Sequence, residues 1–166
     1  MERGISFASF GVLLVAALVA IPLTASVLPP EVASHFGIDG TPNGFMPRGA
    51  YLLLMTGLSV GLPLIIVGSL AWRVQRDPNR LKVPNRDYWF APERRAQSAA
   101  FLVVHMTRIG SALIVLMGYV HALVVRANLL HPPHLEPARL LAGVAVFIVA
   151  TLAWVWALHA RFAKPR

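Results

Sequence analysis

Residues 5–28 read ISFASFGVLLVAALVAIPLTASVL, 24 residues without one charged side chain. A helix rises about 1.5 Å per residue, so about 20 apolar residues cross a hydrocarbon core roughly 30 Å thick. Leu23-Thr24-Ala25-Ser26 has the composition of a signal-peptidase site. The apolar run, however, is longer than the ~7–15 residues usual for a cleaved signal. It therefore reads as a retained membrane helix, with Pro22 near its outer end.

Working outward, three further runs have the same character: 51–72, 99–125 and 140–158. Pro63 sits in the middle of the second and removes a backbone donor there, which predicts a kink. Pro92 falls where the first turn of the third helix begins, a position that tolerates it. Between the runs lie a Gly- and Pro-rich loop at 29–50, a polar loop at 73–97, a short loop at 126–139, and a basic tail from His159. Composition agrees: 57% of residues are hydrophobic and 13% charged, against roughly 25% charged in a soluble domain. The expected fold class is an all-α integral membrane protein, one four-helix domain over 1–166. There is no cysteine, which excludes disulfides, thiolate metal sites and a cysteine nucleophile.

Lys and Arg near the spans set orientation. The N-terminus carries one, the 73–97 loop seven and the tail three, eleven on one side, against Arg48, Arg126 and Arg139 on the other. Arg108, inside the third span, belongs to neither count. An N-in/C-in topology follows, with 29–50 outside and 73–97 in the cytoplasm. The net charge of +8 is accounted for by this asymmetry, so no nucleic-acid partner is implied.

Spans associate in lipid through small residues that let backbones approach. The second span offers Gly57 and Gly61 at GxxxG spacing; the first has Ala16, Ala20 and Thr24, and the fourth Ala153 and Ala157. These rows serve packing within the bundle or a homodimer seam. Tyr51, Trp72, Tyr88, Trp89 and Phe162 stand where interfacial anchors belong.

Candidate chemistry is sparse. In the outer loop, Asp39-Gly40 and Asn43-Gly44 are turn signals, and the loop brings His35, Asp39 and Asn43 within reach of one another as a ligand site. Otherwise they are solvated turn residues. In the 73–97 loop, Tyr88-Trp89-Phe90 flanked by Arg86, Arg94 and Arg95 reads as a segment lying on anionic lipid, or as a docking platform for a partner. His105 and Arg108 share a face of the third helix, and His121 lies farther out. Arg108 is costly in mid-bilayer but snorkels to the headgroups if the helix enters late. His131-Pro132-Pro133-His134 is a rigid pair of imidazoles, too few ligands for zinc even with Glu136 near. No metal site and no cofactor are expected.

The stretch Leu28-Pro29-Pro30-Glu31-Val32-Ala33-Ser34-His35-Phe36-Gly37-Ile38-Asp39-Gly40-Thr41-Pro42-Asn43-Gly44-Phe45 resembles the LP..I..HF...G.PDGW pattern that follows the first helix of a bacterial domain of unknown function. Asn43-Gly44-Phe45 stands where the pattern has Asp-Gly-Trp. Val83 to Arg95, VPNRDYWFAPERR, is similar to the PN.DYW..PERR segment of relatives with this architecture. That domain occurs in SdpI-like membrane proteins, among them an immunity and signalling protein for a secreted peptide toxin. The resemblance implies a bacterial inner or plasma membrane location and a loop that recognises a peptide or envelope protein.

No nucleophile–base pair, phosphate loop or HExxH helix is present, and no Asp or Glu lies within a span. The leading expectation is a non-enzymatic membrane protein whose outer loop binds a ligand or envelope partner. The alternatives are an accessory subunit of a transporter or envelope complex, and a membrane-embedded enzyme using His105, Arg108 and His121.

Overall fold

The computed structural model describes residues 2–77 and 80–163; Lys164 and Arg166, counted above with the basic tail, lie outside the described residues. The chain runs α1 (Glu2–Ala25), β1 (Glu31–Phe36), β2 (Pro42–Pro47), α2 (Arg48–Thr56), a π-helical turn (Gly57–Gly61), α3 (Leu62–Arg76), the short α4 (Arg86–Trp89), α5 (Pro92–Asn128) and α6 (Pro137–Ala163). Among the described residues, four helical segments are long and apolar enough to cross a membrane: Ser6–Ala25, Arg48–Arg76, Pro92–Asn128 and Pro137–Ala163. The protein is a multi-pass membrane protein, mostly helical. The all-α expectation needs one correction, because β1 and β2 form an antiparallel hairpin within 29–50.

The second span is continuous through Pro63, and the disturbance sits just before it. Pro63 has no N–H for the carbonyl four residues back, and its ring crowds that carbonyl. The turn at Gly57–Gly61 widens instead, with Leu62 N–H bonded to Gly57 O, a π-bulge of the kind that absorbs such a mismatch.

The interior is a three-helix core. Phe10, Ala17 and Ile21 of α1 meet Tyr51, Met55 and Val67 of the second span and Ile114 and Val124 of α5. Gly110 marks the point where the three meet. A Cβ there would lie 2.8 Å from Val67 Cγ2 and 2.9 Å from Phe10 Cε2, so three spans converge on one missing side chain. The GxxxG pair behaves differently. Gly57 is exposed, Gly61 half-exposed, and neither has a neighbouring atom where a Cβ would sit. Packing of Gly57 and Gly61 within the bundle is thus not observed.

Helix α6 stands apart. Among its described residues Phe162 alone is buried. The helix touches α5 near its two ends, through Tyr119 lying on Gly143 and through Phe101–Phe162 and His105–Trp154 ring contacts.

Several expected boundary aromatics lie inside. Tyr51 and Phe162 are buried, and Trp89 is 4% exposed, with its indole N–H bonded to Phe162 O at 2.9 Å. Asn85, in the left-handed region at φ 48°, donates to Phe162 O and Ala163 O at 3.0 and 2.9 Å. The Asn85–Trp89 segment therefore supplies donors to the last carbonyls of α6, which have no partner within their own helix. Trp89 is thus a packing residue and not a boundary anchor, whereas Tyr88 is half-buried and Trp72 exposed.

Replacing Gly110 by Leu should destabilise the protein by about 1–3 kcal/mol, as overpacking does. Gly57→Leu should be near neutral. Thermal unfolding of the two variants in the same detergent checks the contrast; equal midpoints would refute the three-helix crossing.

Candidate functional site

The hairpin is the largest structured element outside the spans. Its register pairs Glu31 with Pro47, Val32 with Met46 and Ala33 with Phe45, then slips to His35 with Gly44 and Phe36 with Pro42. The slip at Ser34 is a bulge, and it breaks the plain alternation of a strand. The connection is a turn over Gly37–Gly40, closed by Gly40 N–H to Gly37 O at 2.9 Å and Gly37 N–H to Thr41 O at 2.8 Å. Gly40 has φ +82°, a conformation that suits glycine, and a Cβ there would overlap the Leu135 carbonyl oxygen. Asn43-Gly44, expected as a second turn, lies in β2. Gly44 is needed because a Cβ would come 2.9 Å from His35 Cβ.

Three clamps fix the hairpin to the helices. Asn128, in the last turn of α5, accepts from Ala33 N–H at 2.8 Å and donates to Ala33 O at 2.9 Å. Leu135 N–H bonds Gly40 O at 3.0 Å, holding the tip against the 129–136 connection. Arg48 bonds Ser26 O and Leu28 O at 3.2 and 3.0 Å, just past the end of α1. Val32 packs beneath, with Phe36 and Met46, on the core that contains Tyr51 and Leu135. None of these clamps was read from the sequence. Asn128 carries no motif, and its partner is 95 residues away.

The expected site residues lie on this hairpin but do not form one pocket. His35 Nδ1 and Asn43 Oδ1 pair across the strands at 2.6 Å. Asp39 accepts from Thr41 N–H at 3.1 Å and from its hydroxyl at 2.8 Å, a turn-closing pattern. These bonds, the hydroxyl's first, hold the Asp39 carboxyl below the usual carboxylate range. His35, Asp39 and Asn43 are all exposed. Beside them Ile38 is 99% exposed at the tip and Phe45 55% exposed on β2. These two apolar residues were not anticipated.

The other expected residues are dispersed. His105 bonds Phe101 O at 2.9 Å and lies against its ring at a tilt of 32°. Arg108 is exposed and lies about 30 Å along α5 from Asn128 at ~1.5 Å per residue. By the same measure His105 and His121 are about 24 Å apart, so no single site holds both. His121 is 4% exposed and joins three helices: Nε2 lies 2.7 Å from Thr24 Oγ1 and Nδ1 lies 2.8 Å from the Tyr51 hydroxyl. Thr24 Oγ1 donates to Ala20 O at 2.6 Å. It therefore accepts from His121, which places the imidazole proton on Nε2 and makes the Tyr51 hydroxyl the donor to Nδ1. His134 sits against Gly40, and Glu136 bonds Arg139 at 2.6 Å. Among the described residues no three His, Asp or Glu side chains are grouped to hold a metal. Arg94 lies over the Tyr88 ring at 4.0 Å, and Arg95 bonds Gln75 O at 3.3 Å.

Asn128→Ala would leave Ala33, which is wholly buried, with N–H and C=O unpaired, at about 1–3 kcal/mol for each group. Hydrogen exchange should quicken across 31–36 and not in α3; unchanged protection would contradict the clamp. Asp39 provides a second check. Its pKa is lower in the folded chain, so its contribution is present above the unfolded value and is lost as pH falls through the folded value. The Thr41 amide signal should titrate with a midpoint below the ordinary 3.8 and stop titrating in Asp39→Asn.

A family described as a domain of unknown function, DUF1648, matches residues 12–67, from within α1 through the hairpin and α2 into α3. No curated protein and no solved structure matches the chain.

Proposed function

We propose that the protein is a non-enzymatic, SdpI-like bacterial membrane protein whose hairpin recognises a peptide or protein partner in the envelope. The observation that carries this reading is the hairpin itself. It is clamped by Asn128, Leu135 and Arg48 yet turns Ile38 and Phe45 outward beside His35, Asp39 and Asn43. Apolar groups held rigidly in water bind with little ordering cost and serve as anchors for a partner. The resemblance of residues 28–45 to the SdpI-like loop supports the same role. Its bacterial setting implies the cell membrane.

The excess of Lys and Arg on the side opposite the hairpin supports an N-in/C-in orientation, with the hairpin outside. The hairpin shares its side with the 129–136 connection, and Asn85 shares the other with the end of α6.

A second reading, an accessory subunit of a larger complex, draws support from α6. Leu141, Val146, Val149 and Leu152 are exposed along it, a surface suited to another protein's helix as well as to lipid.

The two readings part in an affinity capture from native membranes. Triple substitution His35→Ala, Asp39→Ala, Ile38→Asp should reduce the captured partner by roughly tenfold or more, the effect of losing an interface anchor, at unchanged protein level. Val149→Ala with Leu152→Ala should leave capture intact. The reverse pattern would reject hairpin recognition in favour of the accessory-subunit reading.

A further inference from the structure

Between α1 and α5 runs a groove of about 700 Å³, within the range of small-molecule sites. It exists because the facing residues are small: Ala16 and Ala20 on one wall, Gly118 and Ala122 on the other. Both walls belong to spans, so whatever fills the groove comes from the bilayer.

The groove is ordered along the membrane normal. Arg126 lies at the hairpin end. Thr24 and His121 form a polar layer about 7 Å farther in, at ~1.5 Å per residue. Beyond them the lining is hydrocarbon down to Leu13 and Ile114. A glycerophospholipid presents the same order, an anionic phosphate above an apolar acyl chain; the donors of Thr24 and His121 go to Ala20 O and to Thr24. The charge at the mouth is also complementary. Glu136 approaches Arg126 only to 3.8 Å and is bonded to Arg139 at 2.6 Å. Arg126 thus keeps donors for a phosphate, the anion that guanidinium binds best.

We propose that this groove holds one acyl chain of an anionic glycerophospholipid from the hairpin-side leaflet, with its phosphate on Arg126. The site is separate from the hairpin surface and does not depend on what the hairpin binds.

The full chain is placed in nanodiscs of equal phosphatidylglycerol and phosphatidylcholine, released into mild detergent, and weighed intact by native mass spectrometry. Wild type should retain one phosphatidylglycerol, preferred over phosphatidylcholine roughly fivefold, the effect of one basic group on an anionic lipid. Arg126→Gln should keep a lipid but lose the preference. Ala20→Phe and Gly118→Leu fill the groove from opposite walls, and each should retain none. Equal retention of the two lipids by wild type, or lipid retained by both filled variants, would overturn the proposal. Because the chain has no other cysteine, Ala20→Cys also tests for a second copy in the groove. No cross-linked dimer is expected in native membranes, and formation of one would overturn the lipid assignment.

Discussion

Ala33 is wholly buried in the middle of a strand that has one neighbouring strand. Its N–H and C=O face away from any second strand, and a buried, unpaired peptide group is among the costliest features a fold can carry. Asn128 resolves this by presenting a side-chain amide, chemically a peptide group, to both atoms. The hairpin side of the molecule follows from that pairing. With Ala33 fixed, Val32 is pressed onto the core with Tyr51 and Leu135, Gly40 reaches the Leu135 backbone, and the exposed face is held in one orientation. The amide's remaining donor returns to Val124 O in its own helix, which locks the rotamer.

The opposite end uses the same device in reverse. The last carbonyls of α6 take their hydrogen bonds from Asn85 and Trp89, and Arg161 of α6 lies over the Trp89 ring at 4.0 Å. At the hairpin end, the Tyr119 hydroxyl bonds Arg139 O at 2.8 Å. Between these attachments α5 and α6 enclose a cleft of about 510 Å³ lined by apolar side chains. Helices in lipid gain nothing from simply hiding apolar surface, so association rests on close packing and polar contacts. Helix α6, with little of the former, is therefore held chiefly at its ends, whereas α1, the second span and α5 are held along their length.

The four spans were legible because a bilayer imposes length and polarity on consecutive residues, and those are properties of sequence alone. The hairpin was not. Its strand signal is interrupted by the bulge at Ser34, and Asn43-Gly44 carries a turn's composition while serving a strand, where Gly44 makes room for His35. His35, Asp39 and Asn43 were found as candidates because polar residues in a Gly-rich loop are conspicuous. Ile38 and Phe45 were missed because an apolar residue shows its exposure only once the fold is known. Tyr51 and Trp89 were read as boundary anchors for a related reason. A buried aromatic with a polar partner has the same local sequence as an interfacial one, and the partners here, His121 and Phe162, are 70 and 73 residues distant. The GxxxG pair meets no neighbour within the bundle, whereas Gly110, without a motif, sits where three spans converge.

His121 and Asn128 are two helical turns apart on α5 and so lie on one face of it. One binds α1 and α2 through Thr24 and Tyr51; the other binds the hairpin. The residues between α1 and α2 are the hairpin itself, so both of its ends and its middle are referred to the same face of α5. Displacing the hairpin requires either breaking the Asn128 bonds, which unpairs a buried peptide, or moving α5, which strains the His121 junction. Unpairing the two Ala33 groups alone costs about 2–6 kcal/mol, comparable to the few kcal/mol that separate the states of a typical conformational equilibrium. The hairpin is thus suited to meeting a partner as a rigid surface, in the manner of complexes whose backbones barely move on binding.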